Sequence, residues 1–493
     1  MSGFRLLDLV KLFLPVLPEI ELPLEKVSLD EKIIYTVIGG LVFLFSQLPL
    51  YGLAGDANLR IKDPFFFQRS IFAMEKGTLL ELGLLPIITS AFLWQLAAGT
   101  RRLKVNLALR SERELFQAGQ KLTGLVLSII YALGFVSSGY YSGVIRDQSE
   151  FDNVIPYGSL FMIFVQIVST SFIISLLAEI FDKGYGFGSG LLCFLALQAA
   201  TNFVKDFIGL EVIQLPNSNK LDSFGSFVSL VRSVKFDLSK LHSSVWNSFT
   251  RAQLPNLTQF YISLITILIV IGLQNFRIEI PIRSTKVRGM NNIFPIRLLY
   301  TGALPIVFAY TVIANIQLLG FFSSSILKNY YPQVSKLVGQ WEVNANTFNL
   351  VATSGVLYYL SPPTSLFGAL LSPIKTIIYS SFVLILSAWF ANKWSMISGS
   401  SPSDISKQFK EQAISITGKR DVSIVKEFSR IIPVAAVSGA FSLAVLAVAG
   451  DLLGGLGKGV STIVGLISAF TILEEFMIEF QQSGGSSQFA NAF

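Results

Sequence analysis

The sequence predicts an all-α polytopic membrane protein, with ten transmembrane helices in two inverted halves. Hydrophobic residues make up 52% of its 493 residues and charged residues only 14%, whereas soluble domains are about 25% charged. Many apolar runs approach or reach the roughly 20 residues that a helix needs to cross a bilayer. The only cysteine, Cys193, excludes an internal disulfide, and the only histidine, His242, leaves little His-based metal or acid–base chemistry.

Ten apolar stretches predict the spans in two groups of five. They lie near 33–54, 77–98, 118–138, 154–180 and 187–210, then near 256–276, 299–322, 374–394, 431–450 and 460–480. Acidic residues interrupt the first 32 residues, which argues against a signal peptide. Phe4, Leu7, Val10 and Leu14 recur there at helical spacing, so an amphipathic helix on a surface is expected instead.

The distribution of Lys and Arg between the loops predicts the orientation. One set of loops, which carries 22 of the 38 Lys and Arg residues, comprises 1–32, 99–117, 181–186, 277–297 and 393–430. The positive-inside rule places this set in the cytosol, together with both termini and the tail 481–493.

The opposite set of loops contains three segments of interest. Residues 56–76 are too charged to span the membrane, their apolar core from Phe65 to Met74 is too short, and they predict a short helix buried among the others. Residues 211–255 are polar and Ser-rich, which predicts a lumenal loop. Residues 325–373 predict another loop, with a short interfacial helix near Leu357.

A local motif occurs once in each group of five spans. Gly83-Leu-Leu-Pro86-Ile lies in the second span, and Gly302-Ala-Leu-Pro305-Ile lies in the seventh, which is the second span of its own group. Because five is odd, the second group enters the membrane from the other side. This arrangement predicts an inverted repeat, with the working site near the midplane between the halves.

The centres of the spans carry Ser, Thr, Asn and Gln rather than ionisable residues. Proton pumps and sodium symporters bury charged relay groups, so their absence argues against those classes. The polar residues fit interhelical hydrogen bonds, a wet lumen or a seam that opens. A secondary transporter of small solutes built from inverted repeats stays open as the alternative. A membrane-bound hydrolase would need a catalytic cluster near one interface, and the sequence contains no nucleophile-elbow, HExxH, Walker A or CxxC motif.

Two of the loops placed in the cytosol are strongly basic. Residues 277–297 alternate charged and Ile residues before a Gly289–Asn292 turn, which predicts a β-hairpin with Lys286 and Arg288 near its tip. Residues 401–430 carry six basic residues, among them Lys419 and Arg420 in an exposed turn. Two explanations of such basic loops stay open. They can reflect membrane topology together with binding to lipid phosphates, or they can bind a polyanion such as RNA through its phosphates.

A series of motifs, in a fixed order over the whole chain, resembles the SecY family. Within that family it resembles the alpha subunits of the eukaryotic Sec translocon, and the opening Met1-Ser-Gly-Phe-Arg5 suggests the second translocon paralogue of yeasts. The motifs are Thr78-Leu-Leu-Glu-Leu-Gly83, Pro86-Ile-Ile-Thr-Ser90, Arg113-Glu-Leu-Phe-Gln117, Lys183-Gly-Tyr-Gly186, Gly188-Ser-Gly190, Pro281–Gly289 and Asp451-Leu-Leu-Gly454.

The resemblance implies an hourglass-shaped protein-conducting channel of the endoplasmic reticulum membrane, which is not an enzyme and needs no cofactor. Such a channel translocates nascent polypeptides that carry signal sequences and releases transmembrane segments sideways into the lipid bilayer. The implied partners are the ribosome with its rRNA, and small single-span beta and gamma subunits.

Four sets of site residues follow from the resemblance. The aliphatic ring at the waist falls on Leu84, Ile88, Leu191, Leu195, Val307 and Val464. The polar positions of a lateral gate fall on Thr89, Asn315 and Tyr131, the last being a departure from the family's usual glutamine. Ribosome contacts fall on Lys286, Arg288, Lys419 and Arg420. The plug, 60–76, includes Phe65, Phe66, Phe67, Arg69, Ile71 and Met74.

Overall fold

Helices dominate the computed structural model. It describes residues 6–53, 62–100, 102–103, 105, 109–141, 145, 157–214, 221–234, 241–251, 254–284, 291–328, 330–344, 347–397, 401–412, 414–416 and 421–483. The N-terminal half contains α1 (Leu6–Phe13), α2 (Leu29–Phe45), α3 (Phe66–Ile71), α4 (Leu85–Gly99), α5 (Arg110–Ser137), α6 (Tyr157–Asp182) and α7 (Gly190–Ile208).

A connector joins this half to the next one. It contains β1 (Val212–Gln214), β2 (Leu221–Ser223), α8 (Ser226–Val234) and α9 (Leu241–Thr250). The C-terminal half contains α10 (Leu257–Asn275), β3 (Arg277–Ser284), β4 (Asn291–Arg297), α11 (Leu304–Leu327), α12 (Pro332–Val338), β5 (Trp341–Val343), β6 (Leu350–Ala352), α13 (Gly355–Tyr359), α14 (Leu366–Leu371), α15 (Pro373–Ile397), α16 (Pro402–Glu411), β7 (Ile414–Ile416), α17 (Asp421–Leu452) and α18 (Lys458–Gln482).

Each of the ten predicted spans coincides with a helix. Seven of these helices are long and apolar enough to cross a membrane, namely α5, α6, α7, α10, α11, α15 and α17. The other three are α2 with 17 residues, α4 with 15 residues and α18 with 25 residues. The helix of the second span begins at Leu85 rather than near 77, because the preceding residues form turns around the plug helix α3.

The motif that occurs in both halves has the same structure in both places. Gly83 and Gly302 have φ values of 52° and 60°, a left-handed conformation that glycine adopts without steric penalty. Pro86 and Pro305 then lie in the first turn of α4 and α11, where proline's missing N–H is tolerated. Two helices of the predicted repeat therefore begin in the same way.

The two segments predicted as loops on the plug side contain regular structure. Residues 211–255 include the β1–β2 hairpin, α8 and α9, which a single loop does not describe. A helix does form at Leu357, but this side chain is only 2% exposed and packs against Gly320 and Gly339. The predicted short helix near Leu357 is therefore present, with Leu357 on its buried side, and its interfacial location stays a prediction.

The predicted β-hairpin is confirmed. Strands β3 and β4 pair from Arg277 opposite Arg297 to Arg283 opposite Asn291. The sequence did not reveal that β7 joins the same sheet, with Ile282 opposite Ile416. Helices α16 and α17 cover this sheet with Phe409 and Phe428, and together they bury an apolar cluster separate from the main core.

The N-terminal amphipathic helix is present as α1. Its buried face carries Leu7 and Val10, which pack with Trp94 of α4 and Phe116 of α5. The surface on which this helix lies is therefore formed, at least in part, by the ends of two spans.

Candidate functional site

The six positions of the aliphatic ring lie in the interior of the helix bundle. Five of them are at most 4% exposed, and Leu191 is half-buried and packs against the same apolar cluster. They are contributed by the start of α4, by α7, by α11 and by α18. The six residues are Leu84, Ile88, Leu191, Leu195, Val307 and Val464.

Two cavities lie on opposite sides of Leu195 and Val464. The first, the hairpin-side cavity, has a volume of about 480 Å³ and is lined by Leu192 of α7 and by Ile467 and Ser468 of α18. The second, the plug-side cavity, has a volume of about 280 Å³ and is lined by Gln198 of α7 and Ser461 of α18. Leu195 of α7 and Val464 of α18 therefore fall between residues that line the two cavities.

The three predicted gate residues form one chain of hydrogen bonds. The hydroxyl of Tyr131 on α5 donates to Oδ1 of Asn315 on α11. Nδ2 of Asn315 donates to Oγ1 of Thr89 on α4 at 2.9 Å. The bonds of Asn315 therefore join α4 and α5 to α11 across the seam between the halves.

The plug helix closes the same seam through aromatic contacts. Phe65, at its N-terminal end, is 1% exposed. Its ring centroid lies 5.5 Å from that of Phe135 on α5, and 5.3 Å and 6.5 Å from those of Phe321 and Phe322 on α11. Since Phe65 fills the space between α5 and α11, these two helices and the plug pack as one unit.

The plug also contacts both helices that begin with the Gly–Pro motif. Gln68 donates through Nε2 to Oε1 of Gln317 on α11. The amide of Leu84, which precedes α4, donates to the carbonyl of Phe72 at 2.9 Å. A Cβ atom on Gly83 would lie 2.5 Å from that same carbonyl oxygen, so only glycine allows this close approach.

A buried cluster of charges holds the plug in place. Arg69 of α3 donates to both carboxylate oxygens of Asp63, to Oε1 of Glu81 at 2.9 Å and to the hydroxyl of Tyr140 at 2.7 Å. Glu81, which is fully buried, also accepts from the amide of Gly77. One arginine of the plug is therefore tied to a carboxylate next to α4 and to a phenol after α5.

The cluster changes the pKa values of its members. Burial alone would raise the pKa of Asp63, but the charge and hydrogen bonds of Arg69 lower it overall. Burial lowers the pKa of Lys76, whose ammonium group lies 5.1 Å from the ring centroid of Tyr140. Both Asp63 and Arg69 therefore stay ionised at neutral pH, which keeps their ion pair intact.

A second buried carboxylate braces the C-terminal half. Oδ2 of Asp451 accepts from the hydroxyls of Tyr310 and Tyr379, each at 2.9 Å, and Oδ1 accepts from the amide of Gly457 at 3.1 Å. These contacts join α11, α15, α17 and the start of α18. The ring of Tyr310 lies 5.9 Å from that of Phe67, so the brace also contacts the plug.

Sequence reasoning predicted the gate trio and the plug, and the structure brings the trio together by hydrogen bonds. Sequence reasoning missed the residues that contact the plug. Glu81 was visible only as an acidic residue near the end of a span, and Asp63, Tyr140 and Asp451 gave no signal of their roles. The predicted ribosome contacts Lys286, Arg288, Lys419 and Arg420 lie outside the described residues. In the part of the chain that the structure describes, no group of three His, Cys, Asp or Glu side chains could hold a metal ion.

Comparison with known families matches nearly the whole chain. The model of the SecY family matches residues 78–473, and the model described as the plug domain of Sec61p matches residues 41–77. A Saccharomyces cerevisiae protein named Sec sixty-one protein homolog is 40% identical over 490 residues, which cover 99% of this chain and 98% of that protein. A Wickerhamomyces anomalus protein named SEC61 subunit alpha is 39% identical over 498 residues, which cover 100% and 99% of the two chains.

Solved structures agree with these relatives. A chain of the idle yeast Ssh1 complex bound to the yeast 80S ribosome is 39% identical, with a TM-score of 0.77 over 100% of this chain and 99% of that one. A chain described as a protein-conducting channel has a TM-score of 0.74 over 97% of both chains. Its identity is only 24%, so it supports the fold alone.

We predict that Tyr131→Phe weakens the closed seam. The substitution removes the donor to Oδ1 of Asn315, and an unsatisfied buried acceptor costs about 1–3 kcal/mol. The ratio of open to closed molecules should then rise by about 5- to 150-fold. Tyr131→Gln should have a smaller effect, because its amide can donate to the same oxygen.

Spin labels on either side of the seam measure this change. Ile129 on α5 and Leu319 on α11 are both exposed and can carry labels in a Cys193→Ala background. Pulsed electron resonance should give a larger long-distance population for Tyr131→Phe than for the parent. Tyr261→Phe, on the exposed side of α10, is the control. An unchanged distance distribution in the Tyr131→Phe variant would contradict the role given to this hydrogen bond.

We predict that Arg69→Met releases the plug. Removal of one partner leaves Asp63 and Glu81 buried without their cation, which costs about 3–5 kcal/mol. Hydrogen exchange of the peptide Phe66–Met74 should accelerate about 100-fold or more. Arg110→Met is the matched control, because its ion pair with Glu114 is mostly exposed and such pairs contribute about 0–1 kcal/mol. Equal protection in parent and Arg69→Met would disprove the clamp.

The pKa of Asp63 predicts how plug protection depends on pH. A carboxyl with a lowered pKa stabilises the folded state above its unfolded pKa of about 3.9, and this contribution is lost as the pH falls through the folded pKa. Protection of the plug peptide should therefore be flat from neutral pH to about pH 5 and should fall below about pH 4. An Asp63→Asn variant should lack this acid-induced loss.

Proposed function

The chain belongs to the SecY family, and from that premise we propose that it is the channel-forming subunit that translocates nascent polypeptides across the endoplasmic reticulum membrane, mainly cotranslationally, and releases transmembrane segments into it. The observation that carries the proposal is the set of aliphatic positions in the interior of the bundle, with a cavity on either side of Leu195 and Val464. A plug under the ring and a seam beside it complete the parts that such a channel needs.

The ring acts as the seal and the passage. Leu, Ile and Val side chains in a narrow pore exclude water, so ions cannot cross with their hydration shells. The same side chains offer a polar chain no hydrogen-bonding partner that could retain it. Passage therefore depends on widening the ring, which also requires the plug beneath it to leave.

The seam acts as the lateral gate. A signal sequence or transmembrane segment enters between α4 and α11 and replaces the bonds of Asn315 with apolar contacts. Each Leu, Ile, Phe or Val of the segment then gains about 0.3–0.6 kcal/mol in lipid, whereas a central charge costs about 2.5–3.5 kcal/mol. Apolar segments therefore leave sideways, and polar segments continue through the ring.

The basic loops form the ribosome-docking surface in this proposal. Lys286 and Arg288 follow β3, and Lys419 and Arg420 follow β7. Because β3 and β7 pair in one sheet with its own apolar core, the two loops emerge from one rigid unit. Their positive charge suits rRNA phosphates, and the excess of Lys and Arg in the same set of loops places this sheet and both termini in the cytosol.

The remaining parts of the proposal come from the resemblance to the family. Small single-span beta and gamma subunits would complete the complex, and translation or a partner motor would supply the driving force, since the channel itself makes and breaks no bond. The 39% identity to the Ssh1 complex chain and the 40% identity to the Sec sixty-one homolog support a second translocon paralogue of yeasts. The secondary transporter of small solutes has no such support.

We predict that polar substitution of the ring causes ion leak. Ile88→Asn, Val307→Asn and Val464→Asn together place amides in the constriction, which should wet it and raise the ion conductance of planar bilayers holding the idle channel. Ile163→Asn changes an equally buried position on α6 and should reduce stability without adding conductance. If the triple variant folds and conducts no more than its parent, the ring assignment is wrong.

We predict that charge reversal in both basic loops weakens ribosome docking. Arg288→Glu combined with Arg420→Glu removes phosphate contacts, so cosedimentation of vesicles with ribosomes should decrease and should respond less steeply to salt. Lys336→Glu, an exposed lysine on α12 at the plug side, should bind as the parent does. Docking of the double variant at parental strength would remove these loops from the ribosome interface while leaving the channel assignment standing.

A further inference from the structure

Four serines of the connector between the two halves are buried. Ser223 and Ser226 are each 1% exposed, Ser229 is 8% exposed and Ser248 is 4% exposed. These serines lie where α8 and α9 meet each other, β2 and the adjoining spans. A helix pair that faces water on its outer side would normally bury its large apolar side chains and expose its serines.

Large apolar side chains cover the outside of the same helices. Phe227, Val231 and Trp246 are 45%, 51% and 64% exposed, and we call these three residues the outer face of the connector. Phe227 and Val231 are four residues apart, so they share one side of α8. Buried serines beside these exposed apolar side chains are not expected of a water-facing helix pair. The same helices also expose polar residues, among them His242 and Asn247, so the arrangement fits an element at the boundary between lipid and water.

The connector is held rigidly, so its outer face has a fixed direction. Arg251 donates to Oδ2 of Asp222 at 3.2 Å and to the carbonyls of Ser223 at 3.0 Å, Phe224 at 2.7 Å and Pro255 at 2.7 Å. These four bonds tie the β1–β2 hairpin, the start of α8 and the start of α10 together. Exposure of the outer face is therefore a property of the fold.

The outer face continues the apolar surface of the spans. The ring of Phe227 lies 5.1 Å from that of Phe207 at the end of α7, which stacks at 4.0 Å on Phe260 of α10. Ile208 and Leu210, 50% and 77% exposed, extend the same surface from α7 toward the connector. This end of the bundle is also the plug end, because Phe224 and Met74 line the plug-side cavity together.

We propose that the outer face of the connector is inserted into the lipid interface on the plug side of the membrane. Interfacial helices bury their apolar side roughly 5–10 Å into the boundary between headgroups and acyl chains. Trp246 suits this depth, since tryptophan favours the interface, and the exposed Arg232 at the end of α8 can reach lipid phosphates. The link between the two halves is then anchored in lipid, so the halves separate about a fixed point.

A fluorescent label tests this location directly. Cys193 is the only cysteine and is buried, so Cys193→Ala leaves a background for Phe227→Cys labelled with nitrobenzoxadiazole. The complete complex is reconstituted in phosphatidylcholine vesicles, with lipids brominated near the top of the acyl chain as one quencher and iodide in water as the other. The label should emit at shorter wavelength than in water and should be quenched by the brominated lipid.

Two matched positions calibrate the measurement. Leu268→Cys, 64% exposed on α10, reports a lipid-facing span, and Glu342→Cys, exposed on β5, reports water at the same end of the bundle. Val231→Cys repeats the test if the label at Phe227 disturbs the ring stacking. Quenching by lipid as at Leu268 supports the proposal. Quenching by iodide, as at Glu342, would overturn the proposal because the label would then lie in water. Quenching by neither agent would also overturn it, because protein would then cover the outer face.

Discussion

One chain of hydrogen bonds, set in an apolar seam, joins three helices of the two halves. Tyr131, Asn315 and Thr89 belong to three different helices, and Asn315 receives from one side and donates to the other. Away from water, an amide that loses its partners has no solvent to replace them, so these few bonds determine whether the helices stay together. The surrounding contacts are apolar, and lipid or the apolar side chains of a client segment can replace them at little cost. A seam of this kind can be stable when closed and still open for the correct segment.

Charged residues support this seam from outside the constriction. Arg69 is paired with Asp63 and Glu81 on the plug side. The six aliphatic positions, in contrast, belong to the main apolar cluster or pack against it. A charge at the ring would bind water and ions, and it would also bind the polar groups of a passing chain. Placing the ion pairs next to the plug gives the closed state electrostatic stability without a binding site in the passage. The brace at Asp451 follows the same division, because it holds α11 from the side away from the seam.

The sequence predicted what depends on local pattern or on composition. Apolar runs located the ten spans, the alternation of Arg277 to Arg283 located the hairpin, and the Gly–Pro motif located two equivalent helix starts. Contacts between distant residues left no such pattern. The contact of Arg69 with Tyr140 and the pairing of β3 with β7 each join segments that are far apart in sequence. No periodic pattern in the sequence indicates these contacts or the burial of the connector's serines. The resemblance to a family identified the gate trio, but the physical reason for it, a shared amide between two hydroxyls, required the structure.

Plug and gate are coupled by the contacts they share. Phe65 packs between α5 and α11, and Gln68 bonds to Gln317 on α11, while Arg69 is held by Glu81 next to α4 and by Tyr140 after α5. If α11 moves away from α4 and α5, Phe65 loses one wall of its pocket and Gln68 loses its partner in the same movement. The plug then keeps its contacts to the N-terminal half and, in the C-terminal half, those to α18 and the backbone hydrogen bonds to Phe348 and Leu350. Opening of the seam therefore lowers the free energy needed to displace the plug, and an empty channel with a closed seam keeps the plug in its site.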